Sequence, residues 1–209
     1  MRPFGETELE SHPPTYYLHS CQVSIAKSVK QTNKRQTTMT ITTEEVLHLR
    51  RCIALAAEAL DAGDAPFGSV LVVEGEGVQH EDRNRTVTLG DATRHPEFEL
   101  ARWAATNLTA EQRTRATVYT SGEHCPMCSS AHAWVGLARI VYVASAAQLE
   151  AWKAEWGLTA KTAGTDNVTP VAQVAALPAG QVAPGVVVEG PVDELVSAIR
   201  ELHHRHAGA

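Results

Sequence analysis

Apolar positions recur along this chain in two rhythms, one helical and one extended. Val46, Leu49, Ile53, Ala57 and Leu60 fall at helical spacing and predict a helix over Thr43–Asp61, capped by Thr43 and ended by Gly63. Glu44 and Glu45 stand in its first turn, where the helix dipole favours acids. Val70–Val73 and Val78–Glu81 are short strands around a Gly75-Glu76-Gly77 turn, which predicts a hairpin. A polar stretch, 82–93, leads to a second helix, Glu97–Asn107, with Leu100, Trp103 and Ala104 on one side. After a polar connection, Thr109–Arg115, come a strand at Ala116–Thr120, a helix at Pro126–Leu137 and a strand at Arg139–Ala144. The helix is small and apolar, so burial is expected, and the order predicts a parallel βαβ unit. A fourth helix, Ser145–Trp156, opens on Ser145 as cap. Residues 157–184 show no strong pattern beyond a short helical turn around 171–176. A last strand, Val186–Glu189, precedes a last helix, Val192–Arg205, striped by Val192, Leu195, Val196, Ile199 and Leu202. No internal repeat is visible.

Composition narrows the class. The chain has 209 residues, 44% of them hydrophobic, enough for one ordinary domain with an appendage. Residues 1–40 lack periodicity and read as a disordered or loosely attached extension; residues 41–206 read as a single domain. Lys27, Lys30, Lys34 and Arg35 make part of that extension basic, for which a solvated tail is the simplest reading. Met39 offers a more natural start, so 1–38 reads as an upstream extension or as the product of a wrong start codon. The net charge of −6 argues against a nucleic-acid partner, which selects a basic face, and for a small molecule. No run of 18 apolar residues exists, so no membrane span is expected. Four cysteines, Cys21, Cys52, Cys125 and Cys128, make no disulfide framework, and a reducing, cytoplasmic location is the default. Cys52 reads as a small apolar residue on its helix.

The chemistry concentrates in two segments, His95-Pro96-Glu97 and Cys125-Pro126-Met127-Cys128. A residue before proline is pushed out of helical geometry, and proline suits the first helical position. His95 and Cys125 are therefore expected at helix N-caps, with Cys128 in the first turn. Two helix N-termini would then face one point and favour thiolates there. One imidazole and two thiolates leave a catalytic zinc position open for water; a structural site has four protein ligands. Three readings stand at this point. The C-x-x-C is a redox dithiol; it is a structural zinc site completed by His124 or His132; or it is a catalytic zinc site with Glu97 moving protons beside it. In the last, zinc brings its bound water to a pKa of roughly 7, and the resulting hydroxide attacks an amidine-type ring carbon. Phe67 is read as ring contact or core plug, and Glu123 as a second carboxylate or a brace for its loop. Trp152 and Trp156 are read as packing, and His203, His204 and His206 as a solvated tail.

His-x-Glu followed by Pro-Cys-x-x-Cys or a close variant resembles the signature of the zinc-dependent cytidine deaminase-like superfamily. Residues 66–72 resemble the loop and first strand of guanine deaminases. Asn84-Arg85-Thr86 resembles the segment that contacts the base, and residues 91–97 and 119–128 resemble the two metal segments. Pro96 stands where alanine is usual, and His124 where proline is usual. The resemblance implies an α/β fold, a three-layer α/β/α sandwich around a five-stranded mixed sheet, with the last two strands parallel. It implies one Zn²⁺ per chain held by His95, Cys125 and Cys128, with water or hydroxide as nucleophile, Glu97 as catalytic carboxylate, and Asn84, Phe67 and Glu123 near the substrate. It implies a homodimer and hydrolytic deamination of a free nucleobase or related aminated heterocycle, guanine first, then cytosine-like pyrimidines or amino-triazines. A tRNA adenosine deaminase and a catalytically silent zinc-binding interaction module are the alternatives.

Overall fold

The computed structural model describes residues 41–158 and 174–208. All of them belong to one compact unit, Met39–Ala209. The expectations for residues 1–40, and for the part of the 171–176 turn before Val174, lie outside the described residues.

Five strands form one mixed sheet: β1 (Gly68–Val73), β2 (Gly77–Arg83), β3 (Ala116–Gly122), β4 (Arg139–Ala144) and β5 (Val187–Glu189). Their spatial order is β2-β1-β3-β4-β5. β1 runs antiparallel to β2 and β3, whereas β3, β4 and β5 are mutually parallel, as expected. The hairpin register shifts between Leu71 and Val72, which accommodates one extra residue in β2.

Side chains alternate across the strands and feed two cores. Val70, Tyr119, Val141 and Val143 pack against α1 (Thr43–Asp61), α5 (Ala146–Glu155) and α7 (Asp193–His206). Leu71, Val73, Ala116 and Val118 pack against α2 (Pro96–Asn107) on the other face, where α4 (Pro126–Val135) lies beside α2. Helices on both faces of the sheet give the three-layer α/β/α arrangement.

Several details differ from the sequence reading. The cap of α1 is Thr42, because Thr42 and Glu45 form a reciprocal capping box that Thr43 has no partner to make. The buried face of α1 centres on Leu49, Cys52, Ala56 and Ala59, with Val46, Ile53, Ala57 and Leu60 half-buried at its margins. The polar connection holds a short helix, α3 (Ala110–Thr114), opened by a Thr109/Gln112 capping box. Another, α6 (Ala179–Val182), falls in the unpatterned stretch. β3 runs on through Ser121 to Gly122, because its polar residues find partners across the sheet. α4 is buried only along Cys128, Ser129 and His132, while Trp134 is 88% exposed. Arg139 at the start of β4 pairs with Glu45 of α1 and Glu189 of β5, tying one helix to the sheet edge.

Candidate metal centre

The site lies where β3 ends and β1 begins, the end of a parallel unit where ligands commonly bind. His95 is the N-cap of α2 and Cys125 the N-cap of α4, both in extended geometry with proline at the first helical position. Neither cap side chain is spent on its own helix, so both are left to face the same point. Cys128 follows one turn into α4 and is fully buried.

The three donor atoms form a tight triangle. Cys125 Sγ lies 3.4 Å from Cys128 Sγ, and each sulfur lies 3.6 Å from His95 Nδ1. Zinc bonds of about 2.3 Å to sulfur and about 2.0 Å to nitrogen at tetrahedral angles call for ligand spacings of about 3.3–3.8 Å. The donor set therefore fits Zn²⁺ in both chemistry and size. His124 and His132 stay outside it among the described residues, so neither imidazole closes the set as a fourth ligand. They are buried instead against each other, ring centroids 5.3 Å apart.

The electrostatics suit a metal. The sulfur–sulfur hydrogen bond with Cys128 outweighs burial and, with His95, holds Cys125 down to about 4. The same interaction, together with burial and the Glu97 carboxylate, raises Cys128. The two thiols thus share one easy ionisation, and a cation is needed to favour the second. Burial also raises Glu97 above the usual carboxylate range, against the opposing pull of His95.

Glu97 stands beside the donor triangle, not in it. It is 5% exposed, and its Oε2 lies 3.8 Å from Cys128 Sγ. Its Oε1 accepts from Thr120 Oγ1 at 2.8 Å, and Thr120 Oγ1 in turn accepts from Ser69 Oγ at 2.9 Å. Both hydroxyls are fully buried. The sequence reading missed this pair; the available signal was two hydroxyls in strands otherwise rich in valine.

A pocket opens from Glu97, His95 and Cys125 between Phe67, Trp152 and His203. The Phe67 ring lies against Gly122, where a Cβ would stand 2.9 Å from the ring, so glycine is required there. Glu123 also lines the pocket, and its carboxylate accepts from Ala146 N at 3.0 Å and Ala179 N at 2.9 Å, bracing the starts of α5 and α6. Asn84 is not on the pocket wall. It is buried behind Phe67, whose carbonyl accepts its N–H at 2.9 Å, and its Oδ1 accepts from Thr86 N and Thr86 Oγ1. Asp64, fully buried, fastens the same loop by accepting from Val87 N, Thr88 N, Thr88 Oγ1 and Arg83 Nη1. Nothing in the local sequence pattern pointed to Asp64.

The tail histidines are not uniformly solvated. His203 is 7% exposed, because it follows Ile199 by one turn and falls on the inward face of α7. His204 packs against Trp156, and Trp152 is buried in the core. No helix among the described residues is long and apolar enough to cross a membrane.

Fold and donor set together define a zinc-binding domain of the deaminase type. Residues 42–144 match the family model for the cytidine and deoxycytidylate deaminase zinc-binding region. Residues 42–144 thus carry the zinc-binding domain of the zinc-dependent cytidine deaminase-like superfamily. It is 38% identical over 97 residues to a guanine deaminase of Bacillus subtilis, a match spanning 46% of this chain and 62% of that protein. It is 34% identical over 99 residues to a probable cytosine deaminase of Schizosaccharomyces pombe, spanning 47% of this chain and 59% of that one. The curated relatives also include tRNA-specific adenosine deaminases. In three dimensions the chain resembles a guanine deaminase from Nitrosomonas europaea, with a TM-score of 0.57, 19% identity and coverage of 81% of this chain and 87% of that one; this likeness concerns the fold.

Proposed function

We propose that this protein is a zinc-dependent hydrolase that deaminates a free nucleobase or a related aminated heterocycle, guanine first, then cytosine-like pyrimidines or amino-triazines. The observation that carries the reading is Glu97, a buried carboxylate beside a three-donor metal set and outside it. A purely structural site has no use for such a group.

Zn²⁺ held by His95, Cys125 and Cys128 supplies the Lewis acidity that brings water ionisation near neutral pH. Glu97 takes the proton from the attacking water through Oε2 while Thr120 fixes Oε1. The water oxygen bonds to the amidine carbon, and Glu97 passes its proton to the adjacent ring nitrogen. Glu97 then takes the remaining proton from the new hydroxyl and hands it to the exocyclic amine; the carbonyl forms as the C–N bond breaks, and ammonia leaves. Phe67 packs against the heterocycle, with Glu123 holding the neighbouring wall. Asn84, off the pocket wall and with its Oδ1 engaged by Thr86, braces the segment that carries Phe67.

The acidic balance and the apolar pocket wall of Phe67, Leu149, Trp152 and Leu177 support a small substrate over a nucleic acid. The tRNA-specific relatives support the second reading, a tRNA adenosine deaminase. We place the protein in the reducing cytoplasm, where Cys125 and Cys128 stay available to metal. We also propose a homodimer that covers the exposed Trp134 face of α4.

A screen of free bases, nucleosides and tRNA for ammonia and inosine tests the substrate class. Ammonia from a free base is the expected result, and activity confined to tRNA would overturn it. Glu97→Ala should retain about one zinc per chain and release no ammonia from that base; loss of zinc would assign Glu97 to the ligands instead.

A further inference from the structure

We propose that His203, on the last helix, is a substrate-binding residue that hydrogen-bonds the edge of the heterocycle through its ring nitrogens. The inference rests on the free-heterocycle reading and adds a specificity element to it.

His203 lines the same pocket as His95, Glu97 and Cys125, although it is contributed from the far end of the chain. Its ring is fixed by two aromatic neighbours. Phe67 meets it at 5.0 Å between centroids, edge to face, and Trp152 at 6.3 Å. Phe67 is itself pressed against Gly122, three residues before Cys125. The imidazole is thus held in register with the zinc ligands through packed rings. Among the described residues no hydrogen bond reaches its ring, although it is 7% exposed.

The wall around it is largely apolar, formed by Phe67, Trp152, Leu149 and Leu177. His203 adds a polar ring on that side, where α5 and its cap also contribute the polar side chains of Ser145 and Glu150, and it faces the pocket from a different element than Glu97. Burial, with the positive charges of His206 and Lys153, pushes it down to about 3, so it stands neutral. A neutral imidazole carries one N–H donor and one acceptor nitrogen. That pair suits the edge of a lactam or amidine ring, which offers a carbonyl or ring nitrogen beside an N–H. A base already joined to ribose, or a pyrimidine without such an edge, would satisfy it less well.

The test uses the full-length, zinc-loaded chain and the free base that the wild type deaminates fastest. His203→Phe keeps the aromatic packing and removes both nitrogens. Its KM should rise about tenfold, the loss of roughly one hydrogen bond, with kcat within about twofold of wild type. His203→Gln and His203→Asn, which place an amide near Nε2 and Nδ1 respectively, should differ, and one should recover most of the loss. His203→Gln against His203→Met, alike in length, repeats the comparison without a ring, so the test survives a Phe variant that fails to fold. An unchanged KM in His203→Phe, or equal losses in Gln and Met, would show a wall residue and overturn the proposal. Should the wild type act on tRNA and on no free base, the functional reading fails and this inference falls with it.

Discussion

Thr120 Oγ1 donates to Glu97 Oε1 at 2.8 Å and thereby decides which carboxylate oxygen faces the donor triangle. Ser69 donates to Thr120, so the hydroxyl has its own orientation set from the neighbouring strand. The Glu97 carboxylate is thus aimed by two residues that lie outside the donor triangle.

Thr120→Val keeps the branched shape and removes the donor. Zinc content should be unchanged, while kcat falls about tenfold, the cost of roughly one hydrogen bond to a charged group. Thr120→Ser should restore most of it. A Ser variant as slow as Val would assign the loss to packing.

Metal removal should be felt in stability as well as activity. The donor triangle exists only in the folded chain, so bound zinc stabilises that state by mass action. Exhaustive chelation should abolish ammonia release and lower Tm by several degrees, and stoichiometric Zn²⁺ should restore both. An unchanged Tm with full metal loss would show that these donors do not couple to folding.

Asp64 predicts an acid-side dependence. Burial works against its charge, but the Thr88 hydroxyl, the N–H groups of Thr88 and Val87, and Arg83 outweigh it and hold the carboxyl below the usual range. A group depressed in the folded state contributes stability above its unfolded pKa of about 3.9, lost as pH falls through the folded value. Asp64→Ala should therefore destabilise by about 3 kcal/mol at neutral pH, with a smaller deficit toward pH 3, read by urea unfolding across that range. A deficit constant with pH would falsify the assignment.

Trp134 carries the oligomer prediction. A side chain 88% exposed contributes little to the isolated fold, so Trp134→Glu should leave monomer stability within about 0.5 kcal/mol. If α4 meets a second copy, sedimentation should shift from dimer to monomer in that variant. A wild-type monomer at micromolar concentration would refute the dimer.

Local signals made most of this fold legible. The prolines after His95 and Cys125 placed both helix starts correctly, because the constraint acts on the adjacent residue. The Thr42/Glu45 and Thr109/Gln112 boxes were also in the sequence, and reading the wrong threonine, or none, cost one cap and one short helix. His203 falls on the predicted stripe of α7, four after Ile199, but its polarity disguised it as surface. Other features had no local trace. Asp64 bonds residues 23 and 24 positions away, and the Ser69–Thr120–Glu97 relay spans three elements. The apolarity of α4 was read as burial within one chain, whereas Trp134 faces outward.

Both metal segments are the opening turns of helices, each locked by a proline at its first position. Such segments have little conformational freedom left to surrender when an ion arrives. Loading and unloading should therefore proceed without remodelling the backbone, so that exchange is set by ligand ionisation and by access through the pocket. A site built this way should be refillable without refolding the chain around it.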